Sequence, residues 1–132
     1  NNILRIYQTK AENNGIKITI RAAIQHQLDV DYPDIVAIIS NVLENALHGA
    51  QASGATEPWI SVHIYRKEER LIFSTKNSCS SDLLFDEIPL NMQGIGIKSI
   101  ITSADKYNGN CHFAAQNGIF ECLIIMDAIL DK

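Results

Sequence analysis

The sequence predicts a two-layer α/β sandwich, a mixed and mostly antiparallel sheet with helices on one face. Three observations carry this. Segments that alternate apolar and polar residues with period two are interleaved with segments of helical period. Two pairs of alternating segments run consecutively, joined by short turns, whereas a doubly wound parallel fold would alternate strand and helix throughout. The helical segments are amphipathic, so each has one face to bury against a sheet. With 132 residues the chain suits one domain with a sizeable core, and residues 1–132 are read as a single unit.

The elements follow in order. NILRIYQTKAEN (2–13) reads as a helix, capped by Asn14-Gly15. In IKITIRAAI (16–24), Ile16, Ile18 and Ile20 alternate with Lys17, Thr19 and Arg21, the mark of a half-buried strand. QHQLDVDYP (25–33) is a loop, and a central helix starts near Asp34, with Pro33 just ahead of it. Ala52-Ser53-Gly54-Ala55 is a flexible exit. WISVHIYR (59–66) and LIFSTKN (71–77) are antiparallel partners about a charged turn at Lys67-Glu68-Glu69.

Residues 78–93 show neither period. They read as a long loop carrying exposed Leu83, Leu84 and Phe85, a lid expected to be poorly ordered without a ligand. GIGIKSIITSADKY (94–107) becomes helical after two glycines, with Ile97, Ile100, Ile101 and Ala104 on one face. NCHFAA and IFECLIIM then flank Gln116-Asn117-Gly118, and Asn-Gly is the strongest short signal for a type I′ hairpin.

Composition narrows the function. The net charge of −4 comes with scattered Lys and Arg, so no basic footprint points to nucleic acid or an anionic membrane. No apolar run has the length of a membrane span. The chain shows neither a signal peptide nor an initiator Met, and reads as a piece of a longer protein. Cys79, Cys111 and Cys122 are odd in number and lack CxxC spacing. They read as reduced, buried thiols of a cytoplasmic domain rather than a disulfide framework or a zinc site.

The central helix carries the chemistry. Residues 39–49 read ISNVLENALHG. At about 100° per residue, Asn45 falls about +40° from Asn41, His48 about −20° and Glu44 about −60°. These four therefore share one arc, and Ile35, Ile38, Ile39, Val42, Leu43, Ala46 and Leu47 fill the other side. A plain solvated face would favour Lys, Glu, Arg and Gln, the better helix formers. This face offers amide carbonyls, a carboxylate and an imidazole, which suit a hydrated Mg²⁺ bridging phosphates. Glu44 could hold a metal-bound water or accept a proton. From the helix alone, such a site and a polar face that merely happens to hold two asparagines stand level.

QGIGIKSI (93–100) tips the balance. Gly94 and Gly96 precede a helix start, where backbone N–H groups favour an anion and glycine allows close approach. Lys98 lies in the first turn, which is unfavourable for the helix dipole but useful beside a phosphate.

With these residues in view, the sequence resembles the GHKL ATPases, the superfamily of gyrase, its class of heat-shock chaperones, histidine kinases and mismatch-repair ATPases. Asn41-Val42-Leu43-Glu44-Asn45-Ala46-Leu47-His48 resembles their N box, and Gly94-Ile95-Gly96-Ile97 the last glycine box. The resemblance spans the chain and implies the Bergerat fold. It is nearest to the ATP-binding catalytic domain of sensor histidine kinases, in the subgroup with peptide-quorum-sensing members. Lys76-Asn77-Ser78 stands where others have DxGxG, and the run from helix into GIKITI resembles the join to a dimerisation segment.

The resemblance implies ATP and Mg²⁺ as cofactors. It makes Asn45 the metal ligand and, with the N-box acid Glu44, catalytic. It places Asn41, His48, Gly94, Gly96 and Lys98 about the phosphates, and Asn77 at the adenine. It implies γ-phosphoryl transfer to a histidine on a dimerisation segment absent here, a homodimeric parent protein anchored in the cell membrane or free of it, and a response regulator as partner. None of His26, His63 or His112 sits in a phosphoacceptor context, so the isolated fragment is expected to be inactive. Two alternatives remain: a GHKL ATPase or anti-sigma-type serine kinase, and a degenerate interaction module, for which the missing DxGxG and the short lid speak.

Overall fold

A computed structural model describes residues 2–23, 31–89, 91 and 93–127. The expected end of the first strand at Ile24, most of the 25–33 loop, His26 and lid positions 90 and 92 lie outside the described residues.

Helix α1 (Asn2–Asn13) leads into β1 (Lys17–Ala23), α2 (Tyr32–Gln51), β2 (Trp59–Lys67) and β3 (Arg70–Ser78). Helix α3 (Ile95–Asp105) and the hairpin β4 (Asn110–Gln116) and β5 (Ile119–Asp127) complete the chain. The strands form one sheet in the order β1-β2-β3-β5-β4. Only β1 and β2 are parallel, with α2 as their crossover, and the other three pairings are antiparallel. The expected two-layer sandwich is what forms.

Alternation decides which side each strand buries. Ile60, Val62 and Ile64 of β2, Leu71 and Phe73 of β3, and Cys122, Ile124 and Met126 of β5 face the helices and are buried. From α2 the expected stripe meets them, with Ile38, Ile39, Val42, Leu43, Ala46 and Leu47 all buried. Ile97, Ile100 and Ala104 anchor α3. The β4–β5 turn has Asn117 at φ 54° and Gly118 at φ 77°, the two left-handed residues that a type I′ turn requires.

Two clasps fix α3 against α2. Near the start of α2, Asp34 accepts hydrogen bonds from the Tyr107 hydroxyl and from Lys106 Nζ, the latter at 3.0 and 3.2 Å. The Tyr107 oxygen also accepts the Asp31 backbone N–H at 3.1 Å. Further along α2, Asn41 Nδ2 donates to Ser99 Oγ at 3.1 Å.

The loop after β3 departs from expectation in one respect. Leu84 is exposed, but Leu83 and Phe85 are half-buried and pack against the core. Phe85 and Ala115 exchange two backbone hydrogen bonds, 2.9 and 2.7 Å, which seats the loop on the free edge of β4. Upstream, Cys79 N–H donates to Gly118 O at 2.9 Å. Among the described residues no helix is long and apolar enough to cross a membrane.

Candidate functional site

A cleft of about 280 Å³ opens between α2, the end of β3 and the loop that follows. Its volume is close to the lower end for small-molecule sites, about 300 Å³. Three of the expected residues, Asn45, His48 and Asn77, line it together with Gly49. The rest of the wall is largely apolar, with Leu83, Phe85, Ile88, Ile97 and Phe120. Phe85 meets Phe120 edge to face, with ring centroids 6.0 Å apart. An apolar cleft with a few convergent polar groups has the general form of a small-molecule site.

Asn77 is the deepest polar group, 1% exposed. Its Nδ2 donates to the Ser78 carbonyl at 2.8 Å, which fixes the orientation of the amide. The other polar atom of the amide, Oδ1, is an acceptor, and Asn77 lines the cleft. Gly49 makes this possible, since a Cβ there would stand 2.7 Å from Asn77 Nδ2. Sequence reasoning missed Gly49, although a glycine inside a helix costs about 1 kcal/mol relative to alanine and so signals a packing reason. Cys79 lies at the same wall, and burial pushes its thiol pKa up.

The glycine turn sits beside the N box. Asn41 Oδ1 is 3.9 Å from where a Cβ on Gly96 would be. Gly94 caps the start of α3 with no side-chain hydrogen bond, and the first turn holds no acidic residue. Neither glycine is demanded by the fold. Gly94 has nothing within 4 Å of a built Cβ, Gly96 only ordinary contact, and both backbones avoid positive φ. What the missing side chains leave is room above free N–H groups. Lys98 is exposed beside them.

Glu44 does not join this group. It points across α2 to α1, where its Oε2 accepts the Tyr7 hydroxyl at 2.8 Å and Lys10 Nζ at 2.9 Å. Oε1 lies 3.7 Å from His48 Nε2. The Lys10 bond first, and the Tyr7 bond second, hold its carboxyl below the ordinary 4.5. Burial first, and then Glu44, push the Tyr7 phenol up to about 12. The four polar residues that share the arc thus take three directions. Asn45 and His48 line the cleft, Asn41 turns to α3, and Glu44 turns to α1, drawn by donors that only tertiary packing brings near.

Among the described residues no three His, Cys, Asp or Glu side chains gather as a metal cage. The donors at hand are the amide oxygens of Asn41 and Asn45, which fits a hard cation that keeps its waters and leans on ligand phosphates.

Comparison with known proteins identifies the family and the fold. A family model described as a GHKL domain matches residues 30–127. No curated protein matches the sequence. Among solved structures, the catalytic domain of histidine kinase ThkA is similar at TM-score 0.74 and 12% identity, over 96% of this chain and 89% of that one. The mycobacterial sensor histidine kinase MprB gives TM-score 0.69 and 14% identity, over 96% and 91%. Full-length ShkA, solved in complex with AMPPNP, gives 0.72 and 14%, over 96% of this chain but 29% of that one. At such identities the likeness is one of fold.

Proposed function

The chain belongs to the GHKL domain family, and from that premise we propose that it is the ATP-binding domain of a sensor histidine kinase. The observation that carries the proposal is the convergence of Asn45, His48 and Asn77 on one largely apolar cleft, with Asn41 standing against Gly96 at the start of α3. The adenine would enter the cleft and give its amino hydrogen to Asn77 Oδ1. The phosphates would extend along α2 toward the N–H groups at the start of α3, with the His48 ring and the Lys98 ammonium as donors. Asn45 would hold Mg²⁺ through its amide oxygen, and Mg²⁺ when bound supplies neutralising charge at the phosphates.

The chain's own contribution to phosphoryl transfer is positioning and electrostatics. Asn77 and the apolar walls fix the base. The amides of Asn41 and Asn45 add oxygens without adding negative charge. The acceptor would be a histidine on a dimerisation segment of the parent protein, functioning as a homodimer and passing the group to a response regulator. Membership of the peptide-quorum-sensing subgroup rests on Asn77-Ser78 in place of DxGxG. An ATPase would need Glu44 free to activate water. Its carboxylate is instead bonded by Tyr7 and Lys10, which favours the first reading.

NMR titration with Mg-ATP and Mg-ADP tests the proposal. Saturable binding with amide shifts at Asn45, Asn77, Gly94 and Gly96 supports it. Unshifted signals at millimolar nucleotide sink it and leave the interaction module.

A further inference from the structure

The N-box carboxylate lies next in sequence to Asn45, a cleft residue, yet its bonds run the other way. Both α1 donors, Tyr7 Oη and Lys10 Nζ, converge on Glu44 Oε2. Lys10 Nζ also lies 5.0 Å from the Tyr7 ring centroid, so the two donors support one another. The other oxygen, Oε1, stands 3.7 Å from His48 Nε2, and His48 lines the cleft. One carboxylate therefore links a helix outside the site to an imidazole inside it.

We propose that Tyr7 and Lys10 are positioning residues of the nucleotide site, which hold the Glu44 carboxylate against α1 and so keep its negative charge off the phosphate path and His48 available to the anion. The inference rests on the nucleotide reading above. Its physical basis is that a carboxylate and a polyphosphate compete for the same N–H donors. Released from α1, Glu44 would turn to its nearest remaining partner, the His48 imidazole one turn along the helix. The site would then lose a phosphate contact and gain a negative charge. Both changes penalise the charged part of a ligand and spare the base.

A structural role alone would not discriminate in this way. The Lys10–Glu44 pair is well exposed, with side chains 47% and 36% accessible, and such pairs add little to stability. Tyr7→Phe keeps the buried ring and removes only the donor.

The test is calorimetry with Mg-ATP and, separately, adenosine, on wild type, Tyr7→Phe, Lys10→Ala, Lys10→Arg, Glu44→Gln and the Lys10→Ala/Glu44→Gln double variant. Tyr7→Phe and Lys10→Ala should each weaken Mg-ATP about three- to tenfold and leave adenosine unchanged. Lys10→Arg should restore most of the loss. Glu44→Gln should bind Mg-ATP as well as wild type or better, and Lys10→Ala should have no further effect in that background. Equal losses for Mg-ATP and adenosine, an undiminished Lys10→Ala effect in the Glu44→Gln background, or no effect at all overturns the inference while the nucleotide reading stands. A wild type that binds neither ligand overturns both.

Discussion

A methyl group on Gly49 would stand 2.7 Å from the side-chain nitrogen of Asn77. The helix and the third strand therefore meet at a point where only a glycine leaves the amide its place. Gly49→Ala has two opposed effects on stability, since alanine favours the helix by about 1 kcal/mol and the displaced amide costs a similar amount. The melting temperature should change little. Asn77 Oδ1, however, should turn out of register with the adenine, and nucleotide affinity should fall about tenfold. Thermal denaturation and calorimetry on the one variant check both halves.

Asn45 separates the ligand from the fold. It lines the cleft from a half-buried position on the polar side of α2. Asn45→Ala should keep the melting temperature or raise it slightly, by up to roughly 0.7 kcal/mol of helix propensity, and should remove Mg²⁺-dependent nucleotide binding. Asn45→Asp retains an oxygen but adds charge beside the phosphates, and should also weaken binding. Unaltered affinity of either variant for Mg-ATP takes Asn45 out of the site.

Gly96 makes a matching case at the phosphate end. With no close neighbour and no positive φ, alanine fits there and should favour α3 by up to about 1 kcal/mol. The added methyl lies toward Asn41 Oδ1, in the space assigned to the phosphates. Gly96→Ala should thus be more stable yet bind Mg-ATP more weakly, with adenosine unaffected. Equal affinity of the variant and wild type for Mg-ATP places the phosphates elsewhere.

The acid side of the stability profile follows from two carboxyls. The Tyr107 hydroxyl first, and then Lys106, hold Asp34 below its ordinary 3.8. Lys10 and then Tyr7 do the same to Glu44 against 4.5. A carboxylate whose folded value is depressed adds stability above the unfolded value, and loses it as pH falls through the folded one. Asp34→Asn and Glu44→Gln should each melt below wild type at pH 7 and converge on it as pH falls through the lowered folded values. Parallel curves for variant and wild type from neutral to acid pH would contradict this.

Much of the architecture was legible because it is local. Alternation in 59–66 and 71–77 marked β2 and β3, Asn117-Gly118 marked the hairpin, and the apolar stripe of α2 named its buried face. Asn45 and His48 drew notice as part of an unusual polar arc on α2, and Asn77 through the resemblance of Lys76-Asn77-Ser78; all three line one cleft. The direction of Glu44 was not legible, because its partners lie 37 and 34 residues away in sequence and a helical wheel holds no information about a neighbouring helix. The half-burial of Leu83 and Phe85 escaped for a related reason. Their segment has no period of its own and takes its place from the edge of β4.

That edge placement bears on colloidal behaviour. An open sheet has two rims of unpaired backbone groups, each a template for a foreign chain. On the β1 rim, exposed Lys17 and Arg21 repel a second copy of themselves. On the β4 rim, the Phe85 backbone already occupies both hydrogen-bonding groups of Ala115. The loop after β3 is therefore a stopper, and substitutions that loosen it would shorten the protein's shelf life in concentrated solution.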